Sequence, residues 1–170
     1  IFMVIWFIGL SGSGKTTLAS KLFKETKKIH TNTVFLDGDI LRDVWADDLS
    51  YTIEGRERNA KRISNLCKLL DQQGFHVIAS VLSIFPEWQQ WNREKFSSYF
   101  EIFLDVPMEV LIERDTKNLY KQALAGEIEN VVGVQIPFPR PSNPDLVLSE
   151  TNETPEDTIK NVLEILPKFL

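Results

Sequence analysis

Cysteine and histidine are scarce in this sequence. Cys67 is the single cysteine, so the chain cannot build a disulfide framework of its own. It falls on the apolar face of a predicted helix, where a buried thiol is expected rather than a reactive one. The two histidines, His30 and His76, are not at metal-ligand spacing, and we expect both to be structural or surface residues. The sequence therefore gives no sign of a cysteine–histidine metal centre.

Long apolar runs and a surplus of basic residues are also missing. The longest apolar run, residues 1–8, is far shorter than the roughly 20 residues that cross a membrane. It lacks the basic start of a signal peptide, and we expect Met3 to be the natural first residue. The formal net charge of −5 argues against broad nucleic-acid binding, which needs a basic footprint. These features favour a cytoplasmic protein without membrane or nucleic-acid partners.

Short apolar segments alternate with amphipathic ones throughout the 170 residues, and no repeat interrupts them. Strands are predicted over residues 3–8, 33–36, 76–82, 100–104 and 146–148. Helices are predicted over residues 15–27, 40–44, 54–73, 88–97, from 108 to 114, and from 154 onward, with Ile159, Val162, Leu163 and Leu166 as the buried stripe of the last. This alternation predicts one α/β domain over residues 1–170, with a parallel sheet covered by helices on both faces. Such sheets bind ligands at the carboxyl ends of their strands.

Residues 115–144 break the alternation. Their polarity is mixed, and four prolines follow one another closely between residues 137 and 144. A stretch of this length in a compact domain is usually functional, so we interpret it as a mobile lid that closes over the reacting groups. The alternative is a surface excursion that only covers the edge of the sheet. We refer to residues 115–144 as the lid segment.

The first predicted strand runs into a phosphate-binding motif. Residues 9–16, GLSGSGKT, match G-x-x-x-x-G-K-[ST] in full. Glycines let backbone amides approach phosphate oxygens, and the following helix points its amino end at the same place. Lys15 is expected to reach the β- and γ-phosphates, and the Thr16 hydroxyl to ligate Mg²⁺. The alternative, a purely structural glycine turn, is disfavoured because the motif lies between a strand and a helix.

Two carboxylates follow the second predicted strand, at Asp37 and Asp39. One could organise Mg²⁺ and its waters, and the other could accept a proton from an attacking hydroxyl. The alternative is a turn in which Asp39 caps the helix over residues 40–44. A GTPase would need an N/T-K-x-D loop, and the nearest segment, residues 116–119, lacks the aspartate. A motor ATPase is normally larger, which leaves a small-molecule kinase.

Several uncommon motifs, spread over nearly the whole chain, resemble those of adenylylsulfate kinases. They are residues 6–19, residues 36–39 with Arg42, residues 114–115 with 119–121 and 125–128, and residues 143–146. The resemblance implies a three-layer P-loop NTPase fold with a mostly parallel sheet and a lid. It implies a kinase that uses ATP and Mg²⁺ and passes the γ-phosphate to the 3′-hydroxyl of a small nucleotide, and it implies a homodimer.

Roles for individual residues are implied by the same resemblance. Catalysis would involve Lys15, Asp37, Asp39 and Ser83. Ser83 stands at the position of a family serine that is sometimes proposed to carry the phosphoryl group. Direct in-line transfer to the acceptor is the simpler route. ATP would bind Gly9, Ser11, Gly12, Ser13, Gly14, Lys15, Thr16, Thr17 and, near the base, Arg114. The metal would be held by Thr16 and Asp37. The acceptor would contact Asp39, Arg42, Tyr51, Arg56, Asn59, Ser83, Lys117, Leu119 and Lys121.

Departures from the family pattern concentrate on the acceptor side. They are Ile40, Tyr51-Thr52, Gly55-Arg56, Arg58-Asn59, Ile84-Phe85-Pro86, Leu124 and Val131. Val131 stands where an aromatic residue would stack on a purine, and such stacking is worth roughly 1–3 kcal/mol per base. These changes resemble those of cytidine diphosphoramidate kinases, which act in capsule phosphoramidate biosynthesis. An adenylylsulfate kinase with a changed pocket and a non-catalytic nucleotide sensor remain as alternatives.

Overall fold

A five-stranded parallel sheet forms the centre of the computed structural model, which describes residues 2–115, 117–149 and 153–167. The strands are β1 (Val4–Ile8), β2 (Thr33–Asp37), β3 (His76–Val81), β4 (Tyr99–Asp105) and β5 (Leu146–Ser149). Their order across the sheet is β2-β3-β1-β4-β5, and every neighbouring pair is parallel. The predicted parallel α/β fold is therefore confirmed.

Seven helices connect and cover these strands within the described ranges. They are α1 (Lys15–Ile29), α2 (Gly38–Val44), α3 (Ile53–Gln72), α4 (Pro86–Lys95), α5 (Met108–Arg114), α6 (Leu119–Leu124) and α7 (Pro155–Ile165). Helix α4 begins two residues before its predicted start, because Pro86 suits a first helical turn, where its missing N–H leaves no bond unmade. None of the helices described is long and apolar enough to span a membrane.

The alternation of side chains along β1 explains the three layers. Ile5 and Phe7 pack in one core with Leu22 of α1 and Val162 of α7. Val4, Trp6 and Ile8 point to the opposite face, where they pack in a second core that contains Ile63 and Cys67 of α3. Because both faces of the sheet are covered, β1 reads as a continuous apolar run. The buried position expected for Cys67 is confirmed.

The structure corrects one of the predicted helix patterns. Ile159 and Val162 of α7 are buried as predicted, and so is Leu166, just past the last helical residue, but Leu163 is 40% exposed. The helix therefore presents a narrower stripe to the sheet than its periodicity predicts. Its predicted start is confirmed, since the Thr154 hydroxyl accepts a hydrogen bond from the Asp157 amide.

The lid segment contains more regular structure than its sequence indicates. Helix α6 lies within it, and residues 131–136 form a compact turn in which the Val131 carbonyl accepts hydrogen bonds from the amides of Val134, Gln135 and Ile136. Ile1 and Thr116, which enter the sequence predictions, lie outside the described residues. The mobility of the lid segment stays a prediction.

Candidate active site

The motif of residues 9–16 forms a turn between β1 and α1. Gly12 and Gly14 both have positive φ, 84° and 93°, which favours glycine at these positions. A Cβ added at Gly9 would lie 2.5 Å from the Ser13 Oγ, so this position has no room for a side chain. The tight turn aims the amino end of α1 into a cavity of about 870 Å³.

Lys15 is the first residue of α1 and reaches into this cavity. Burial lowers the pKa of the Lys15 ammonium group, and the nearby Asp39 and Asp37 carboxylates only partly oppose that effect. The carboxylates of the protein therefore do not fully offset the cost of burying the positive charge of Lys15. A polyphosphate bound at the loop would offset the remainder.

Thr16, Asp37 and Ser80 bring three side-chain oxygens together below the loop. The Thr16 Oγ1 donates a hydrogen bond to Asp37 Oδ2 over 3.1 Å, and the same hydroxyl lies 3.2 Å from the Ser80 Oγ. Asp37 and Ser80 are directly paired in the register of β2 and β3. Such hard oxygen donors fit Mg²⁺, which prefers one or two carboxylates or hydroxyls with waters and phosphate oxygens.

Asp37, not Asp39, caps α2. The Asp37 Oδ1 accepts hydrogen bonds from the amides of Asp39 (2.8 Å) and Ile40 (3.3 Å), and α2 begins at Gly38. The suggestion that Asp39 is the helix cap is therefore wrong. Because the capping bonds occupy only one oxygen of Asp37, the other remains directed at Thr16. The Asp39 side chain is left 75% exposed, and its Oδ2 lies 3.8 Å from the Lys117 Nζ of the lid segment.

Two arginines and a tyrosine form the far wall of the cavity. The Arg42 guanidinium lies over the Tyr51 ring at 4.3 Å, and that of Arg56 lies 5.4 Å from the same ring. Burial, with a smaller contribution from Arg42, lowers the pKa of Arg56. Arg56 also donates from Nη2 to the Asn130 carbonyl over 2.9 Å, which ties α3 to the lid segment. Asn59 is held by the Trp45 indole, which donates to its Oδ1 over 3.0 Å.

The cavity brings together most of the residues that the sequence predicts for the site. From the phosphate loop, it is lined by Ser11, Gly12, Gly14, Lys15, Thr16 and Thr17. From the sheet edge, it is lined by Asp37, Asp39 and Ser83. From the acceptor side, it is lined by Arg42, Tyr51, Arg56, Asn59, Lys117 and Leu119.

Four predicted site residues do not line this cavity: Gly9, Ser13, Arg114 and Lys121. Gly9 underlies the loop. Ser13 and Arg114 line a second cavity of about 460 Å³, bounded by α5, β5 and α7. Lys121 lines neither cavity; its amide donates to Asp115 Oδ2, which fixes the start of α6. Gly14 and Thr17 line both cavities, so the phosphate loop runs between two spaces.

Sequence reasoning missed three polar residues of the site. Ser80 is buried among the apolar residues of β3, and Gln89 donates to Ser83 Oγ over 3.0 Å. The Tyr120 hydroxyl of α6 donates to the Ser11 carbonyl over 2.6 Å and so attaches the lid segment to the phosphate loop. The signal available for Ser80 was a small polar residue near the end of an apolar strand. Gln89 belongs to no motif.

A glycine-rich turn before a helix, a half-buried lysine at the start of that helix and carboxylates at the end of β2 define a P-loop phosphotransferase. The family model for adenylylsulphate kinase matches residues 2–149. The chain therefore belongs to the adenylylsulphate kinase family, and it is a phosphotransferase with an alcohol group as acceptor. The alternative of a non-catalytic sensor is set aside.

Relatives in this family carry two different names. The chain is 39% identical to the adenylyl-sulfate kinase of Halothermothrix orenii, over 96% of this chain and 89% of that protein. It is 38% identical to the cytidine diphosphoramidate kinase of Campylobacter jejuni, over 98% of this chain and 95% of that protein. It is also similar to the solved structure of the Mycobacterium tuberculosis APS kinase CysC in complex with AMPPNP and APS. That similarity has a TM-score of 0.86 and 32% identity, and it covers 96% of each chain.

Proposed function

We propose that the protein transfers the γ-phosphoryl group of ATP to the 3′-hydroxyl of cytidine diphosphoramidate. The observation that carries the proposal is the pair of cavities on either side of the phosphate loop. The loop is unchanged from the family pattern, whereas the wall of the larger cavity differs from it at several positions. A kinase that keeps ATP as its phosphoryl donor and acts on a different acceptor accounts for both features.

The smaller cavity suits the donor nucleotide. ATP with its base near Arg114 would lead its phosphates past Ser13 and Gly14, which lies where the two cavities meet, to Lys15 in the larger cavity. Thr16 and Asp37, with Ser80 beside them, would hold Mg²⁺, which neutralises phosphate charge when it is bound. The relative with AMPPNP and APS in its solved structure supports a donor and an acceptor site in the same fold.

Transfer then requires few chemical groups from the protein. The acceptor oxygen attacks the γ-phosphorus, the bond from that phosphorus to the bridging oxygen breaks, and ADP leaves. Asp39 is exposed to the cavity and would accept the proton released by the attacking hydroxyl. Lys15 and Lys117, which both interact with the Asp39 carboxylate, would stabilise negative charge on the transferred group.

The identity of the acceptor rests on the stacking surface of the larger cavity. Val131 is buried in its wall and offers no aromatic face. The Tyr51 ring is already in contact with the guanidinium groups of Arg42 and Arg56. A pyrimidine needs less stacking surface than a purine, which favours a cytidine nucleotide, and the relative named cytidine diphosphoramidate kinase supports the same acceptor. Adenylylsulfate is the second candidate, favoured by the relatives named adenylyl-sulfate kinase.

A direct assay separates the two acceptors. Purified protein with ATP and Mg²⁺ is given cytidine diphosphoramidate or adenylylsulfate, with cytidine diphosphate as a control, and ADP release and 3′-phosphorylated product are measured. We expect kcat/KM to be at least about tenfold higher for cytidine diphosphoramidate. Turnover confined to adenylylsulfate would overturn the proposal in favour of the second candidate.

The variant Val131→Phe tests the stacking argument. An added aromatic face should raise kcat/KM for adenylylsulfate roughly fivefold or more, because base stacking is worth roughly 1–3 kcal/mol. Val134→Phe, which adds the same ring outside the lining of the cavity, is the matched control and should show no gain. If both variants leave adenylylsulfate turnover unchanged, residue 131 does not contact the acceptor base.

A further inference from the structure

Ser83 occupies a strained turn at the edge of the acceptor cavity. It follows β3 by two residues and has φ of 51°, a left-handed conformation that is disfavoured by about 1–2 kcal/mol for residues other than glycine. Its side chain is 8% exposed and lines the cavity. Strain of this kind persists where surrounding structure holds it, often at functional sites. Here it directs a short polar side chain into the space that receives the acceptor.

The hydrogen bond to Gln89 decides what the Ser83 hydroxyl can offer. Gln89 is 6% exposed on α4, and its Nε2 donates to Ser83 Oγ over 3.0 Å. A hydroxyl has one hydrogen to donate and two lone pairs that accept. Because Gln89 occupies a lone pair, the hydroxyl hydrogen remains available. Within the described residues, Ser83 Oγ makes no further hydrogen bond, and Ser83 lines the cavity, where a bound ligand could accept this hydrogen.

The same contact argues against a nucleophilic role for Ser83. A serine that attacks phosphorus must lose its proton to a base within hydrogen-bond reach. In the described part of the chain, the side chain bonded to Ser83 Oγ is an amide N–H donor, which cannot take that proton. Asp39, the proposed base for the acceptor hydroxyl, has its closest ionic contact with Lys117 instead.

We propose that Gln89 is a positioning residue that holds the Ser83 hydroxyl as a hydrogen-bond donor to the acceptor nucleotide. The partner is an oxygen or nitrogen lone pair of that nucleotide. Gln89 does not line the cavity and acts only through Ser83. This inference rests on the proposed function for the location of the acceptor, but it holds for either acceptor nucleotide.

The test reverses the direction of the hydrogen bond. In Gln89→Glu, the new carboxylate accepts from the Ser83 hydroxyl and turns its hydrogen away from the cavity. We expect the KM for the acceptor to rise about threefold to tenfold, the worth of one hydrogen bond, while the KM for ATP is unchanged. Ser83→Ala should give the same rise, and the double variant should be no worse than Ser83→Ala. Gln90→Glu makes the same change one residue along α4, at an exposed position, and should leave both KM values unchanged.

Two further measurements keep the test decisive. Gln89→Met keeps the length of the side chain without a charge, and we expect about a threefold rise in the acceptor KM because the hydroxyl is no longer held. Calorimetric Kd values for both acceptors, with ADP and Mg²⁺ present, report the same contact without turnover. The wild-type assay alone decides the proposed function. Three results would each overturn this inference. The first is wild-type acceptor affinity in both Gln89→Glu and Gln89→Met, and the second is additive effects in the double variant. The third is labelling of Ser83 by γ-labelled ATP at the rate of turnover.

Discussion

Lys15 is the side chain through which the phosphate loop acts on a triphosphate. Burial lowers its pKa, so its charge is poorly compensated until phosphates bind. We predict that Lys15→Met lowers kcat/KM by about a hundredfold or more, because a charge placed at the transferring group is lost. Steady-state kinetics with ATP would measure this. Lys24→Met, an exposed position on the same helix, should retain wild-type activity; if it fell equally, the loss would reflect α1 itself rather than the phosphate contact.

A substitution of Asp39 can distinguish the chemical step from ATP binding at the same site. It is exposed to the cavity and takes no part in capping α2, so removing its charge should leave the fold intact. We predict that Asp39→Asn lowers kcat about a hundredfold or more while the Kd for ATP, measured by calorimetry, changes little. Asp43→Asn changes an exposed carboxylate further along α2 and serves as the control. Unchanged turnover in Asp39→Asn would remove Asp39 from the reaction.

The site residues that sequence could predict are those fixed by chemistry at short spacing. Lys15 and Thr16 are set by the phosphate loop, and Asp37 by its place after a strand. Ser80 and Gln89 were not predictable, because each is one polar residue in a segment whose remaining pattern describes packing. Their roles appear only when β3 is paired with β2, or when α4 folds back on the turn at Ser83.

At the scale of elements, hydrophobic periodicity predicted the strands and the long helices, but it did not predict the structure of the lid segment. The path of the backbone in this segment is fixed by individual side-chain hydrogen bonds rather than by a periodic apolar face. Gln135, for example, accepts from the Val131 amide through Oε1 and donates through Nε2 to the carbonyls of Ala123 and Ile128. Contacts between one side chain and distant backbone groups leave no period in a sequence, so the short helix α6 was not predicted.

Helix α6 is attached to the phosphate loop by the buried Tyr120, whose hydroxyl donates to the Ser11 carbonyl. We predict that Tyr120→Phe loosens this attachment and speeds amide hydrogen exchange over residues 119–124 about twofold to tenfold, the worth of one hydrogen bond. Mass spectrometry of exchange would measure it. Tyr99→Phe removes a hydroxyl that bonds to Glu101 on β4 and to neither α6 nor the phosphate loop, so it should not change exchange over residues 119–124. Equal exchange in Tyr120→Phe and wild type would mean that other contacts hold α6.

At the scale of the whole molecule, the parallel sheet explains why the site is where it is. The phosphate loop after β1, Asp37 at the end of β2 and Ser80 near the end of β3 reach one edge because all strands run in the same direction. This architecture was predictable because both faces of the sheet demand apolar residues. A polar group buried inside that sheet is then the exception, and Glu101 on β4, at 2% exposure, is one.

Glu101 should make the stability of the protein depend on pH. Burial raises its pKa above the ordinary 4.5, and the Tyr99 hydroxyl, which donates over 2.7 Å, and Arg93 only partly oppose this. The folded state thus holds the proton more tightly than the unfolded chain, so stability falls as pH rises from about 4.5 through the raised pKa. The penalty is complete above the raised pKa and absent below the ordinary value.

We predict that Glu101→Gln raises the free energy of unfolding at pH 7–8, because a neutral amide avoids the desolvation of a charge and its oxygen can still accept from Tyr99. The difference from wild type should shrink as the pH is lowered through the raised pKa and vanish below about 4.5, where Glu101 becomes protonated in both states. Urea unfolding at a series of pH values measures this difference directly. Glu113→Gln, an exposed position on α5, controls for the loss of one negative charge from the surface. A difference that grows on acidification would show that Glu101 is stabilised as a carboxylate, contrary to the effect of its burial.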